Sequence, residues 1–584
     1  MLNKVRPLSC GLIVLLGAVA AEAAAPTDAE TRVAFARLYG VVRWFHPSDA
    51  GQEIDWNRFA VKGTKAVRGA HDAAQLARVL EQLFAPVAVD LSIASTLPAE
   101  SPSTAAAAGP LVAWRHAGLG FGAITRQGGL RAYASARTNR EAGGVQTFEA
   151  PLVAGVVTEV DLGLGLRARV PLVLTDSDAT ISAERRANLD AFKRELDSMP
   201  ERADPADVDV ATADVVVAWS ALRHFYPYWT EAEVDWDARL RPLLEGATAA
   251  TSREAHRNAL RRLMAEIRDG HGRVSDPGAS PPGYPPFGAR KLQGRLVVTA
   301  SATEKVKVGD VITTIDGTPA AAWLTEQEGV VSGSPHWRAT VAARAAGPQG
   351  STVALELDGD GRAVRVEVTR DALSSLVESR PGPVSQIRPD TWYIDLTRAG
   401  WPEIQAHLEK VSNAAGIVFD MRGYPAGDAG HRILAHLMDA AERRSWMHIP
   451  QIVEPFGEIS GWRSTGWGLS PRPPHLIGHL VFLTDARAIS SAESLMGYVE
   501  ALHLPIVGTP TAGTNGNANF LTVPSGFTIS FTGMRVTRHD GTPLHLQGIQ
   551  PTLIVEPTPA GIRAGRDEVL ERALALVTEG EPPL

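Results

Sequence analysis

The sequence predicts a multidomain α+β chain, with helical N-terminal units, a small β-domain, a strand-turn-strand module and an α/β core built on a mostly parallel sheet. Three observations predict it. A helical pattern recurs at an offset of 180 residues, so that Phe45, Pro47, Asp55 and Trp56 are answered by Phe225, Pro227, Asp235 and Trp236. A Pro/Gly hinge, SPPGYPPFG at 280–288, sets off a run of short strands. From about residue 390, apolar strands alternate with helical segments, which implies parallel strands joined by crossover helices.

The chain has 584 residues, and about 150 residues per domain gives three or four domains. Residues 1–25 read as an export leader. Lys4 and Arg6 form its basic start, Leu12 to Val19 its apolar run, and Ala21-Glu22-Ala23 its cleavage signal. The single cysteine, Cys10, falls inside that leader, so the mature chain is expected to use neither disulfides nor thiol chemistry. No later run of about 18 apolar residues follows, so no integral membrane segment is expected after leader removal. A net charge of −8 with interspersed signs argues against nucleic acid as a partner.

Each helical unit reads as a helix ending in an aromatic-Pro turn, an acidic loop, an Asp-Trp helix start and an amphipathic helix. The copies span 27–90 and 207–279. Their aromatic clusters, Trp44-Phe45 and His224-Phe225-Tyr226, read as helix-packing core. Only the second copy ends in Asp-Gly-His, placing His271 just past a helix end. Between the copies, 91–183 alternates like a small β-domain, and 184–206 is a charged helix followed by a Pro-containing linker. The core is expected over 385–580, with FTISFTGMRV as an exposed strand and a helix over 563–577 on the outside.

The most informative stretch is 479–520. It reads as a strand (479–483), a tight turn, a helix from about Ser490, a second strand (505–508) and a Gly/Thr/Asn loop. A strand entering a helix through such a turn puts unpaired N–H groups and the positive end of the helix dipole at the sheet mouth. A serine there can act as a nucleophile, with those N–H groups receiving the oxyanion. Ser490-Ser491-Ala492-Glu493 is equally an S-x-x-E capping box, which only starts a helix. Two further stretches weigh against that plainer reading: GIVFDMRGYPAGDAG at 416–430, a buried strand and Gly-rich turn, and AEIRDGHGRV at 265–274.

Taken together, DGH, D-x-RG-x-P-x-G, the S-S-A-E helix start and GTPTAG resemble, over roughly 205–580, the tail-specific (C-terminal-processing) serine peptidase family and its tricorn-like branch. The resemblance implies Ser490 as nucleophile, His271 as base, and the N–H groups of Gly427 and Ser491 as oxyanion donors. It implies a serine-type peptidase with polypeptide substrates and no cofactor. Two departures stand out. Thr514 occupies the lysine position of the processing branch, and no lysine occurs after Lys410, which moves the base role to His271. Gly270 stands where the tricorn-like branch has a serine, and His545 lies near the position of that branch's late glutamate, as a third member or a rival base.

Val308-Gly309-Asp310-Val311-Ile312 and Ile315-Asp316-Gly317 resemble the centre of a PDZ domain over 288–371. Such a module binds a peptide as an added strand, and Leu292, Gln293 and Gly294 are its candidate carboxylate loop. There is no HExxH; His431 and His436 are five apart with no carboxylate placed to complete a metal site, so no metal is expected. The expected activity is an exported serine endopeptidase or carboxyl-terminal-processing peptidase. The alternatives are a silent peptide or hydrophobic-ligand binder on the same fold and an esterase or amidase.

Overall fold

The computed structural model describes residues 25–97, 109–120, 126–127, 130–140, 148–200, 204–359, 362–371, 376 and 378–579. The expected leader, apart from Ala25, lies outside the described residues, and Cys10 with it.

The two helical units run through Asp28–Phe45, Trp56–Val67 and Ala73–Phe84, and through Val208–Phe225, Trp236–Thr248 and Arg253–Glu266. Asp55 and Asp235 each cap the second helix of their unit by accepting first-turn N–H bonds. The Tyr39 hydroxyl donates to Trp56 O at 3.1 Å, and at the equivalent place Trp219 Nε1 donates to Trp236 O at 3.0 Å. Equivalent positions also meet each other. A Cβ on Gly40 would sit 2.8 Å from Ser220 Cβ, and Phe45 stacks on Phe225 with centroids 6.2 Å apart. The copies therefore pack about a local two-fold axis, and their aromatic residues fill one shared core.

The 91–183 stretch does not form one β-unit. Ser92–Ala94, Val157–Gly163 and Leu166–Pro171 make a three-stranded sheet whose apolar side chains join the helical core. Leu111–Ala117 instead pairs with Met447–Ile452 from the far end of the chain and with Ala134–Arg137. Alternation of apolar residues records which face of a strand is buried but not which strand is its neighbour.

The inserted module has an antiparallel sheet, Phe287–Leu292, Arg295–Ser301, Val311–Ile315, Thr352–Gly359 and Arg362–Thr369, over its own small core. Leu292 pairs with Arg295 across a two-residue turn, Gln293 and Gly294, both at positive φ (48° and 76°). Leu292 is buried against Val297 and Val311. These three residues close a hairpin, so they do not form an open loop that cradles a carboxylate.

In the core the strand order is Val384–Arg388, Thr391–Asp395, Gly416–Met421, His479–Thr484, Ile506–Gly508, Leu553–Ile554. All pairs after the first are parallel. Helices Trp401–Ser412, Ala429–Leu434 and Ser491–Ala501 cover one face through Ile404, Ile433 and Leu495, against Ile417, Phe419 and Phe482. Helix Glu568–Glu579 covers the other through Val569, Ala573 and Val577, against Val418, Val481 and Leu483. At the carboxyl ends of the strands, Asp395, Asp420 and Asp485 are buried in ion pairs with Arg398, Arg422 and Arg487, each at 2.6 Å.

The strand Thr528–Thr532, expected to be exposed, is the middle strand of a three-stranded sheet between Ala518–Thr522 and Arg273–Ser275. Ile529 and Phe531 enter the helical core, which is why it is buried. The turn of this hairpin is anchored to the second helical unit by Asp214, a fully buried carboxylate. It accepts from Ser525 N at 2.9 Å and from the Ser525 hydroxyl, with His256 Nε2 3.3 Å away. Asp214→Ala strands these buried partners. It is expected to lower stability to urea by about 2–4 kcal/mol, whereas a change under about 1 kcal/mol would show that the anchor carries no load.

Candidate active site

Ser490 sits at the join between the strand His479–Thr484, the short turn after it and the helix Ser491–Ala501. Its backbone lies at φ 60°, ψ −115°, a strained conformation for a residue with a Cβ. Such strain persists only where neighbours impose it, and it gathers at functional positions. The Glu493 N–H, which a capping serine hydroxyl would ordinarily take, bonds the Ser490 carbonyl at 2.8 Å.

Glu493 itself is fully buried and surrounded by donors. Its carboxylate accepts from the Thr511 hydroxyl (2.6 Å), Gly513 N (2.7 Å), Thr514 N (2.8 Å) and Ser490 N (3.3 Å). Burial pushes its carboxyl up to about 7, against the pull of those donors. The residue that reads in the sequence as half of a capping box thus ties the start of the helix to the 511–514 loop.

Thr514 ties that loop to the histidine. Its carbonyl accepts from Ser490 N at 2.9 Å, and its hydroxyl oxygen accepts from Gly270 N at 2.9 Å. Gly270 is glycine for a local reason: a Cβ there would lie 2.8 Å from Thr514 Oγ1 and 3.2 Å from Ile489 Cδ1.

The helix Arg253–Glu266 ends before the Asp-Gly-His turn, which closes with Gly272 N donating to Asp269 O at 2.7 Å. Half-buried, the His271 ring has its Nδ1 2.9 Å from Thr532 Oγ1. The Thr532 hydroxyl donates to Asp269 Oδ1 at 2.8 Å, so toward the ring it is an acceptor. That arrangement puts the ring proton on Nδ1 and leaves Nε2 with its lone pair free to act as a base. Asp269 is fully buried and also accepts from Thr532 N (2.6 Å) and His271 N (3.0 Å). Burial pulls the His271 pKa below its usual value, helped by Arg273 and opposed by Asp269.

His545 does not complete this chain. It is buried with Nε2 3.2 Å from the Tyr226 hydroxyl and its ring stacked on Tyr228 at 4.0 Å, and burial lowers it to about 4. The place beside His271 Nδ1 is held by Thr532 backed by Asp269. Sequence reasoning missed both: Asp269 lay inside the quoted DGH, while Thr532, 261 positions away, gave no local signal.

Gly427 lies on the exposed turn after the strand Gly416–Met421, at φ 60° with open space where a Cβ would be. The preceding Ala426 N–H is pinned to Leu396 O at 2.9 Å. Ser491 is the first residue of its helix, where backbone N–H groups lack intrahelical partners. Among the described residues, no three His, Cys, Asp or Glu side chains are gathered to hold a metal. Nor is any helix long and apolar enough to cross a membrane.

Residues 390–555 match the model of Peptidase family S41. The structure is similar to that of mature CPAF complexed with lactacystin, at 13% identity and a TM-score of 0.52, covering 64% of this chain and 99% of that chain. It is likewise similar to mature CPAF at 14% identity and a TM-score of 0.52, covering 65% and 99%. At such identities the likeness is one of fold. No curated protein matches the chain.

Gly270→Ser places a side chain against Thr514 and is expected to cost about 1–3 kcal/mol of stability to urea. Thr514→Ala in the same chain should recover part of that loss; strict additivity of the two losses would disprove the contact.

Proposed function

We propose that the chain, whose residues 390–555 match the model of Peptidase family S41, is a serine peptidase in which Ser490 and His271 perform the hydrolysis. Ser490 Oγ attacks the scissile carbonyl while His271 Nε2 takes its proton. The tetrahedral oxyanion rests on the N–H groups of Gly427 and Ser491, a contact typically worth about 3–4 kcal/mol per donor. The imidazolium returns its proton to the leaving amine, and a water activated by the same ring then releases the acyl group from Ser490. Thr532 and Asp269 fix the ring's tautomer and stabilise its charged form. The observation that carries this reading is the hydrogen-bond chain from His271 Nδ1 through Thr532 to Asp269, which leaves Nε2 as the base.

The substrates are extended or carboxyl-terminal polypeptide segments. Arg273–Ser275, just after His271, is the outer strand of its sheet and offers an edge on which an extended peptide can pair. The inserted module, PDZ-like in sequence, presents the chain to that edge. The protein acts outside the cytoplasm after removal of its leader.

Ser490→Ala is expected to abolish peptide hydrolysis, a loss of about 10⁴-fold or more, with the unfolding transition unchanged. Activity within tenfold of the unaltered protein would refute the role. Protonated His271 is not a base, so activity rises with pH through its pKa and holds above it. Because burial depresses that pKa, the acid limb of kcat/KM is expected below pH 6.5. A limb above 6.5 would contradict this assignment.

A further inference from the structure

The inserted module lies in sequence between His271 and Ser490 and has its own core, as a tethered lid or spacer would. Its segment 332–337, Ser-Gly-Ser-Pro-His-Trp, departs from that pattern by reaching out of the module into the loops of the active site. The Ser332 hydroxyl accepts from Asp269 N at 2.8 Å. Gly333, at φ 126°, lies so close to the Asp-Gly-His turn that a Cβ on it would be 3.2 Å from Gly270 Cα. The buried Ser334 hydroxyl donates to Ala512 O at 2.7 Å. His336 Nε2 donates to Thr511 O at 2.5 Å. The Trp337 ring is buried against Ile489 and Ala512.

These contacts converge. One end of the segment touches the turn that carries Asp269 and His271. The other end holds the loop whose Thr514 bonds both Gly270 and Ser490, and it packs on the residue immediately before the nucleophile. Ser334 and His336 take two successive carbonyls, those of Ala512 and Thr511. Those carbonyls lie next to Gly513 and Thr514, whose N–H groups serve Glu493. The loop is therefore gripped from opposite sides: its carbonyls by the module and its amides by the helix that starts at Ser490.

We propose that segment 332–337 of the inserted module is a working part of the catalytic frame, with Ser334 and His336 as positioning residues that hold the 511–514 loop and, through it, the Ser490 turn. The inference rests on the serine-peptidase reading given above. The module is then required for nucleophile geometry as well as for substrate delivery. Its displacement would slow attack even on a small reagent that needs no delivery.

The test compares His336→Ala, Ser334→Ala and His336→Gln in the full chain by two readouts. One is amide hydrogen exchange over 511–514 and 269–271, with the central strand Gly416–Met421 as the fold control. The other is the rate at which a small fluorophosphonate labels Ser490. The alanine variants are expected to speed exchange in both loops by about 10-fold or more while the central strand keeps its protection. Labelling is expected to slow by about 10- to 100-fold, since misplacing a reacting group by an ångström has that scale of effect. His336→Gln keeps an N–H donor and should recover most of both. Unchanged exchange in the alanine variants overturns the clamp. Faster exchange with undiminished labelling overturns the positioning role. An unaltered protein that takes no label at Ser490 overturns the serine-peptidase reading instead, and the exchange data still decide the clamp.

Discussion

Thr514 receives two backbone N–H bonds from distant parts of the chain, one from Ser490 and one from Gly270. The serine belongs to the parallel-sheet core and the glycine to the end of a helical repeat, 220 residues earlier in the chain. Much of the local architecture exists to keep that one residue in place. Glu493 takes its N–H, Gly270 lacks a side chain so that it fits, and the 511–512 carbonyls next to it are held by the inserted module.

The site is assembled from buried polar groups, and such groups are stabilising only when every partner is present. Asp269 and Glu493 are carboxylates with no exposure, each enclosed by several donors. The strained backbone at Ser490 costs on the order of 1–3 kcal/mol, and the surrounding network offsets it. A frame built in this way tolerates little substitution, because removing one member leaves its partners buried and unpaired. The same rigidity suits a reaction in which charge appears on one oxygen and must be met at once by fixed donors.

Much of this frame was legible from the chain. The 180-residue repeat exposed the helical duplication, because capping aspartates and core aromatics recur wherever the same helices are built twice. The strand-helix alternation after 390 gave the core, since a strand buried on both faces reads as an apolar run. The Ser490 turn and His271 stood out by motif. What stayed hidden was lateral. Nothing in Leu111–Ala117 says that it pairs with Met447–Ile452, and nothing in FTISFT says that its last threonine faces a histidine 261 positions earlier in the chain. Glu493 and Asp269 were both visible and both underread, because a carboxylate at a helix start or in a turn ordinarily serves only its own turn. The hairpin at Leu292–Gly294 and the packing of His545 on Tyr228 likewise depend on neighbours that the local sequence does not name.

The central claim is that a histidine from the helical repeat and a serine from the sheet act on one proton. A crystal structure of the chain after phosphonylation tests it most directly. The account predicts phosphorus bonded to Ser490 Oγ, His271 Nε2 within about 3 Å of an oxygen on that adduct, and the phosphonyl oxygen at hydrogen-bond distance from the N–H groups of Gly427 and Ser491. An adduct on another residue, or one on Ser490 with the His271 ring turned away and more than about 6 Å distant, would contradict it.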